Sequence, residues 1–471
     1  MTDAPVLYWI RRDFRLSDNP ALVAAAAMGP VIPVVVLDDS INQMGAAPRW
    51  RYEMGLRALA RAYHAQGLDL VIRKGAADAV LADLVATTGA KAVHWNRLYD
   101  PHARARDSAI KTALRDRGIA AQSHNGHLLF EPWEVQTGQG GFYRVYTPFW
   151  RAAMGRDVAR PLSVPALRGV DHALDSLSAE DLNLAPQMRR GAGVLARYAQ
   201  IGAEAAQTRL AQFLDHKVAA YKDKRDFLDQ DACSNLSEHL SLGEISPREI
   251  WHMGWEAHRH GAAGAEHFVK ELVWREFAYH LLYHSPQIAT ENWRPDWDSF
   301  PWATDPHAPQ VLAWKQGRTG IQVIDAAMRE LYVTGRMHNR ARMLVGSYLT
   351  KHMMCHWKIG LDWFADCLID WDPAANAMGW QWVAGSGPDA APYFRIFNPE
   401  TQGEKFDKHG RYRARWIAEL SNPAPQTALD FFEAAPRSWN LQPKMGYPTR
   451  PIVDLAEGRA RALAAYSARN S

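Results

Sequence analysis

A doubly wound, Rossmann-like α/β domain followed by an all-helical domain is the architecture this sequence predicts, and three observations carry the prediction. Short apolar runs alternate with helix-period segments through the first 130 residues. From about Leu195 the strand signals stop, and apolar positions recur only at helical spacing. The chain has 471 residues, more than one ordinary domain, so two are expected. The division expected is an α/β domain over 1–130, a connector over 131–195 and a helical domain over 196–471.

Taken in order, the first half reads as strand–helix repeats. Val6–Ile10 is an apolar run of strand length, and Asn19–Met28 has the pattern of a helix. The strand signal returns at Val31–Leu37, Leu70–Ile72 and Ala92–Trp95. The helix signal returns at Arg49–Gln66, Ala77–Thr87 and Ala103–Arg117. Repeats of this length imply right-handed crossovers and a parallel sheet. No G-x-G-x-x-G follows the first strand, so the dinucleotide fingerprint is absent. The turn RRDFRLSDNP lies at that strand's C-terminal end, the ligand edge of such sheets. Its simpler reading is a salt-bridged turn in which Asp18 or Asn19 caps the next helix.

Residues 131–195 contain Gly138–Gly141, several prolines and little periodicity, as a surface connector does. Val145–Ala152 (VYTPFWRA) starts a short helix inside it. Further on, Ile321, Ile324, Met328 and Leu331 follow i, i+3, i+7, i+10, one face of a helix. A last helix is expected at Leu455–Ser467.

Composition narrows the function. The net charge is only +3, with a pI near 8.6. Any nucleic-acid site must therefore come from clustered Lys and Arg, not from bulk charge. The 19 tryptophans exceed what packing needs and suit base stacking or electron carriage. Three cysteines, Cys233, Cys355 and Cys367, are too few and too scattered for a disulfide framework or a metal site, and read as buried thiols. There is no basic-then-apolar leader and no apolar run of ~18 residues. A soluble, cytoplasmic protein is expected.

The chemistry concentrates in Gly335–Pro399, where Asp370, Asp372 and Asn376 stand beside tryptophans and arginines. Carboxylates and amides in an aromatic interior need partners, because burying them unpaired costs several kcal/mol. A large planar polar cofactor supplies such partners, and arginines suit a polyanion. Asp372 and Asn376 are four apart, with Pro373 placed for a helix start. Earlier, Ser234 and Ser237 flank Leu236 at a helix start, a place for a phosphate or simply for an N-cap by Ser237. Glu271, Trp274 and Arg275 share a helix face, where an intrahelical Glu–Arg ion pair is the plain expectation. Asn339, Arg340 and Arg342 sit close on another helix, whose plain reading is a solvated basic face.

LYWIRRDFRLSDNPAL at Leu7–Leu22, NRARM at Asn339–Met343, DWDPAAN at Asp370–Asn376 and GWQWVAGSGPDAAPYFRIFNP at Gly379–Pro399 resemble the photolyase/cryptochrome family, and the resemblance covers nearly the whole chain. It implies a helical FAD-binding domain behind an α/β antenna domain. It places FAD against Tyr221, Phe268, Glu271, Arg275, Asn339, Arg342, Phe364, Asp370, Asp372, Ala375, Asn376 and Gly379. The pyrophosphate cradle falls on Cys233, Ser234, Leu236 and Ser237, with Cys233 where relatives carry Thr. Phe268 and Arg336 stand where relatives carry flavin-site tryptophans.

The resemblance also assigns roles. Glu271 hydrogen-bonds the DNA lesion, Trp274 and Trp382 wall it, and Asn339 and Met343 lie beside it. Arg225, Arg340 and Arg395 meet DNA. Trp380, Trp357 and Trp302 match an electron route from flavin to surface. Asn376 would face flavin N5, where a neutral amide suits a reduced anionic flavin. Relatives that repair (6-4) photoproducts have two adjacent histidines where this chain has His338 and Asn339.

The implied activity is light-driven repair of cyclobutane pyrimidine dimers in UV-damaged DNA by an electron from excited reduced FAD. The enzyme would be a carbon–carbon lyase, a monomer without membrane contact. The alternatives are a cryptochrome-type blue-light receptor, which predicts a long C-terminal extension, and a flavin electron-transfer protein. The implied antenna is methenyltetrahydrofolate or 8-hydroxydeazaflavin. The Asn-Glu pair of the best-known folate site is replaced here by His102 and Ala103.

Overall fold

A computed structural model of the protein describes residues 4–469, apart from His172 and Ala391. Five parallel strands, β1 (Val6–Ile10), β2 (Val31–Leu37), β3 (Val71–Lys74), β4 (Ala92–Asn96) and β5 (Ala120–His124), form one sheet in the order β3-β2-β1-β4-β5. Helices α1 (Pro20–Met28), α2 (Ala46–His64), α3 (Ala77–Thr88) and α4 (Pro101–Asp116) connect them. Every residue of β1, β2 and β4 is buried, because helices cover both faces. Sequence patterning misses β5. Its AAQSH is largely polar and buries only Ala121 among its five residues, as an edge strand can.

The turn after β1 is a structural knot. Asn19 caps α1 by accepting from the Leu22 N–H, with Pro20 in the first turn. Asn96 Nδ2 donates to Asp13 at 2.6 Å and to Asn19 at 2.8 Å, and Arg11 pairs with Asp107 at 2.8 Å. The strand order reverses between β1 and β4, so this is the switch point where such sheets hold ligands. Here protein side chains occupy it.

Beyond β5 the described residues form helices, turns and two isolated bridges. The VYTPFWRA signal is the helix Tyr146–Met154. Ile321, Ile324, Met328 and Leu331 are all buried, the face their spacing requires. Two joints fix the helical half against the sheet half. Arg51 of α2 forms a fully buried bidentate pair with Glu244, which also accepts from His239 Nδ1–H and the Gly202 N–H. Gly243 has φ +67°, and a Cβ there would lie 2.2 Å from the Arg12 carbonyl oxygen. Only glycine combines that backbone with that approach.

The candidate cofactor cavity and its mouth

A hollow in the helical half is walled by four segments. Tyr221, Ser234, Leu236 and Ser237 come from one side. Phe268, Glu271, Leu272 and Arg275 come from the long helix Ala265–His284. Arg342 comes from the helix Asn339–Ser347, and Asp370, Asp372 and Ala375 from the start of the helix Pro373–Ala384. Residues far apart in sequence thus converge on one space.

The acidic corner is built by helix geometry. Asp372 caps its helix: Oδ1 accepts from the Ala374 N–H at 3.0 Å and the Ala375 N–H at 2.9 Å, with Pro373 at the first position. Its Oδ2 accepts a short hydrogen bond from the Tyr279 hydroxyl. Asp370 Oδ2 accepts from Arg342 Nη2 at 2.8 Å, whereas its buried Oδ1 has no protein partner. An unpaired buried carboxylate oxygen is costly; it marks where a ligand N–H belongs. Further along, Ala375 and Gly379 are both exposed, and a Cβ on Gly379 would meet nothing within 4 Å. Half-buried Asn376 donates from Nδ2 to the Leu361 carbonyl at 3.0 Å, which orients its amide.

The phosphate-side expectation needs one correction. Ser237 is the first residue of the helix Ser237–Leu242, not its cap; Leu236 holds the cap position and makes no side-chain cap bond. The exposed Ser237 hydroxyl therefore faces the hollow uncommitted to capping. Cys233 is half-buried, with Sγ 3.7 Å from His338 Nε2, and burial pushes its thiol up to about 11. Cys355 and Cys367 are buried, and all three cysteines are free.

The basic residues are not a solvated face; each is engaged. Arg336 makes a two-point contact with Glu238, at 2.6 and 3.0 Å. Arg340 pairs with Asp226 at 2.6 Å and lies over the Phe406 ring. Arg342 Nε also donates to the Met337 carbonyl. The expected Glu271–Arg275 pair does not form either. Glu271 makes a short ion pair with Arg225, which holds that guanidinium's pKa up against burial. Arg275 turns the other way, to His127 and Glu276. The i, i+4 spacing allows the pair, but closer partners from other elements win.

Outside the residues that line the hollow, half-buried Trp274 lies face to face with Tyr146, ring centroids 3.6 Å apart and planes 7° apart. Met343 and Trp382 are half-buried, and Asn339 and Arg395 are exposed. His338 Nδ1 accepts from the Arg340 N–H, capping that helix, and burial lowers its pKa to about 4.

The tryptophan set is only partly as expected. Trp380 is buried edge-on against Phe364 at 4.9 Å. Its indole covers Gly360, where a Cβ would lie 2.0 Å from the ring. Trp357 is fully buried, with Nε1 donating to Asn292 at 2.8 Å. His356 lies between Trp357 and Trp302, with ring centroids 5.4 and 5.3 Å away. Trp302, however, does not reach the surface: it is 7% exposed and donates to the Thr350 carbonyl. Trp297 stacks on it at 5.4 Å, and half-buried Tyr466 stacks on Trp297 at 6.1 Å. Nothing in the sequence singles out Trp297 or Tyr466, nor His127, Tyr146 or Tyr279, because their roles depend on packing between distant segments.

A family model described as DNA photolyase matches residues 6–166, and one described as the FAD binding domain of DNA photolyase matches residues 268–468. A deoxyribodipyrimidine photo-lyase of Agrobacterium fabrum is 44% identical over 99% of this chain and 98% of its own length. The crystal structure of a bacterial class III photolyase from Agrobacterium tumefaciens matches with a TM-score of 0.91 at 43% identity, covering 100% of this chain and 98% of that one. Cryptochrome-1 of Arabidopsis thaliana is 33% identical over 97% of this chain and 69% of its own length.

Proposed function

This chain belongs to the photolyase/cryptochrome family, and from that membership we propose that it is a light-dependent deoxyribodipyrimidine photolyase that repairs cyclobutane pyrimidine dimers in DNA. One observation carries the reading: Glu271 and Arg275 of a single helix line a hollow whose wall also holds Asp370 with an oxygen left unpaired. The donor set fits FAD. Asp370 and Arg342 would meet its polar ring edge, Ser234 and Ser237 its phosphates, and Ala375 and Gly379 would leave room for its ring system. The chemistry FAD supplies when bound and reduced is a light-driven electron for the lesion, returned after ring splitting.

The chain's own residues bind and orient. A dimer must leave the base stack to reach the hollow, at a cost of about a few kcal/mol, as a target base does in enzymes that flip bases. Trp274 and Trp382 offer it aromatic faces. Glu271 offers a carboxylate oxygen, held in place by Arg225. Arg340 and Arg395 take phosphates, and Asn339 and Met343 complete the pocket. Asn376, its amide held by the Leu361 carbonyl, would offer a bound flavin a neutral group, with no second negative charge to oppose the reduced form. Trp380, Trp357 and Trp302, with Trp297 and Tyr466 stacked beyond them, would carry electrons inward when the cofactor starts oxidised. His338 caps its helix and burial lowers its pKa to about 4, so it is neutral and poorly placed to donate a proton, which favours cyclobutane dimers over (6-4) photoproducts. A monomer in the cytoplasm with a folate or deazaflavin antenna completes the reading; among the described residues no helix is long and apolar enough to cross a membrane.

The test is loss of dimers from irradiated thymine-rich DNA under blue light, with fully reduced protein. Repair in light and none in the dark is expected. Flavin binding without repair would replace this reading with a cryptochrome-type receptor.

A further inference from the structure

The loop after β5 packs from the sheet half behind the wall of the hollow, where His127 meets Arg275. His127 is 3% exposed. Arg275 grips it at two points: Nη1 donates to the His127 carbonyl at 3.0 Å and Nη2 to its Nε2 at 2.9 Å. The neighbouring Glu276 takes the next stretch of loop, accepting from the Leu129 N–H at 2.7 Å and the Phe130 N–H at 3.4 Å. Tyr279, one turn further along that helix, sets its ring edge-on to the imidazole at 5.0 Å and gives its hydroxyl hydrogen to Asp372. Arg275 and Asp372 both line the hollow; His127 and Tyr279 do not.

We propose that His127 and Tyr279 are positioning residues that fix Arg275 and Asp372 in the cofactor wall, so that the site is complete only when the loop of the sheet half is docked. This deepens the reading of the hollow as an FAD site and rests on it.

The chemistry supports a clamp and not mere filling. A guanidinium holds its donors in a rigid fork, so two bonds to one residue set its plane as well as its place. A carbonyl and an unprotonated ring nitrogen are both acceptors, which is what the fork requires. Burial and the facing Arg275, with Arg12, Arg15 and Arg11 nearby, hold the His127 pKa far below its ordinary value, so Nε2 keeps its lone pair. Tyr279 Oη lies 2.9 Å from the same nitrogen, but its single hydrogen is committed to Asp372. Asp372 then has both oxygens occupied, one by two helix N–H groups and one by Tyr279, and cannot rotate. Asp370, two residues earlier, has no such support on Oδ1. The two carboxylates therefore divide the work, one as a fixed strut and one as an open acceptor.

The experiment is reconstitution of flavin-free protein with FAD, followed by flavin fluorescence, with the reduction potential of the bound flavin as second readout. His127→Ala should weaken FAD binding about tenfold or more, equivalent to about 1.4 kcal/mol, and shift the potential. His127→Gln, which keeps the carbonyl and offers an amide oxygen near Nε2, should recover most of both. Tyr279→Phe keeps the ring and removes only the hydroxyl; should His127→Ala not fold, a shifted potential in Tyr279→Phe tests the same clamp. Wild-type affinity and potential in the variants would overturn the inference while leaving the FAD reading intact. Failure of the wild type to bind FAD would overturn both.

Discussion

The Tyr146 ring lies flat against Trp274, 3.6 Å between centroids, and its hydroxyl donates to the Lys270 carbonyl on the same helix as Trp274. One face of Trp274 is therefore spent, and on the proposed reading a base would take the other. The Tyr146 backbone N–H in turn donates to Asp389 at 3.0 Å, tying the connector to the loop that leads to Arg395. Aromatic pairs of this kind contribute about 1 kcal/mol beyond their burial. Tyr146→Ala should let Trp274 tilt and weaken binding to dimer-containing DNA roughly fivefold, with the flavin spectrum unchanged. Tyr146→Phe keeps the stack and should bind as wild type. A gel-shift titration on damaged and undamaged duplexes decides it; equal Kd in all three proteins would mean that Trp274 stands without support.

Glu271, which lines the hollow, and Arg225 restrain each other. On the proposed reading, removing the carboxylate deletes an acceptor for the lesion and frees a guanidinium for phosphate. Hydrogen bonds to charged groups contribute about 1.5–3 kcal/mol. Glu271→Ala should thus lower the damaged-to-undamaged binding ratio about tenfold or more, by tightening non-specific binding as well as loosening the specific complex. FAD should stay bound. Release of flavin from the variant would show instead that Glu271 serves the cofactor.

The fold is largely legible in the sequence because periodicity reports burial. β1 and β2 begin and end where their apolar runs do, and α1 begins at a proline behind an asparagine cap. β5 is not legible because an edge strand buries too little to leave an apolar signature. In the site, residues that act within one turn can be read: Asp372 capping beside Pro373 is local chemistry. Partners cannot. Arg225 meets Glu271 across 46 positions, Arg275 meets His127 across 148, and Tyr146 meets Trp274 across 128. Each is decided by which helices pack, and for Glu271 and Arg275 a long-range partner displaces the local one that spacing suggests. Trp302 is expected at a surface that the packing of Trp297 denies it.

Gly360 makes room for the Trp380 indole of the proposed electron route, which lies where any side chain at 360 would be. Gly360→Ala should displace the indole and cost about 1–3 kcal/mol of stability, as overpacking does. Light-driven reduction of oxidised flavin in the presence of a thiol should slow sharply, as it should in Trp380→Phe. Repair by protein reduced beforehand should persist in both. Unchanged photoreduction in Trp380→Phe would place the electron route elsewhere.

The joint between the two halves makes stability depend on acid. Burial alone would raise the Glu244 carboxyl, but Arg51 and the His239 hydrogen bond outweigh it and bring it down to about 2 from 4.5. The unfolded chain therefore takes up this proton first as pH falls. Above about pH 4.5 both states are ionised and the stabilisation is complete; between 4.5 and 2 it drains away, by about 3 kcal/mol in all. Glu244→Gln should unfold about 3–5 kcal/mol more easily at pH 7, because it leaves Arg51 buried without its counter-charge. It should also lose less stability than the wild type between about pH 6 and about pH 3. Urea melts of both proteins at the two pH values measure this directly. Equal acid sensitivity would show that Glu244 titrates alike in the folded and unfolded chain, and that Arg51 and His239 do not hold its charge.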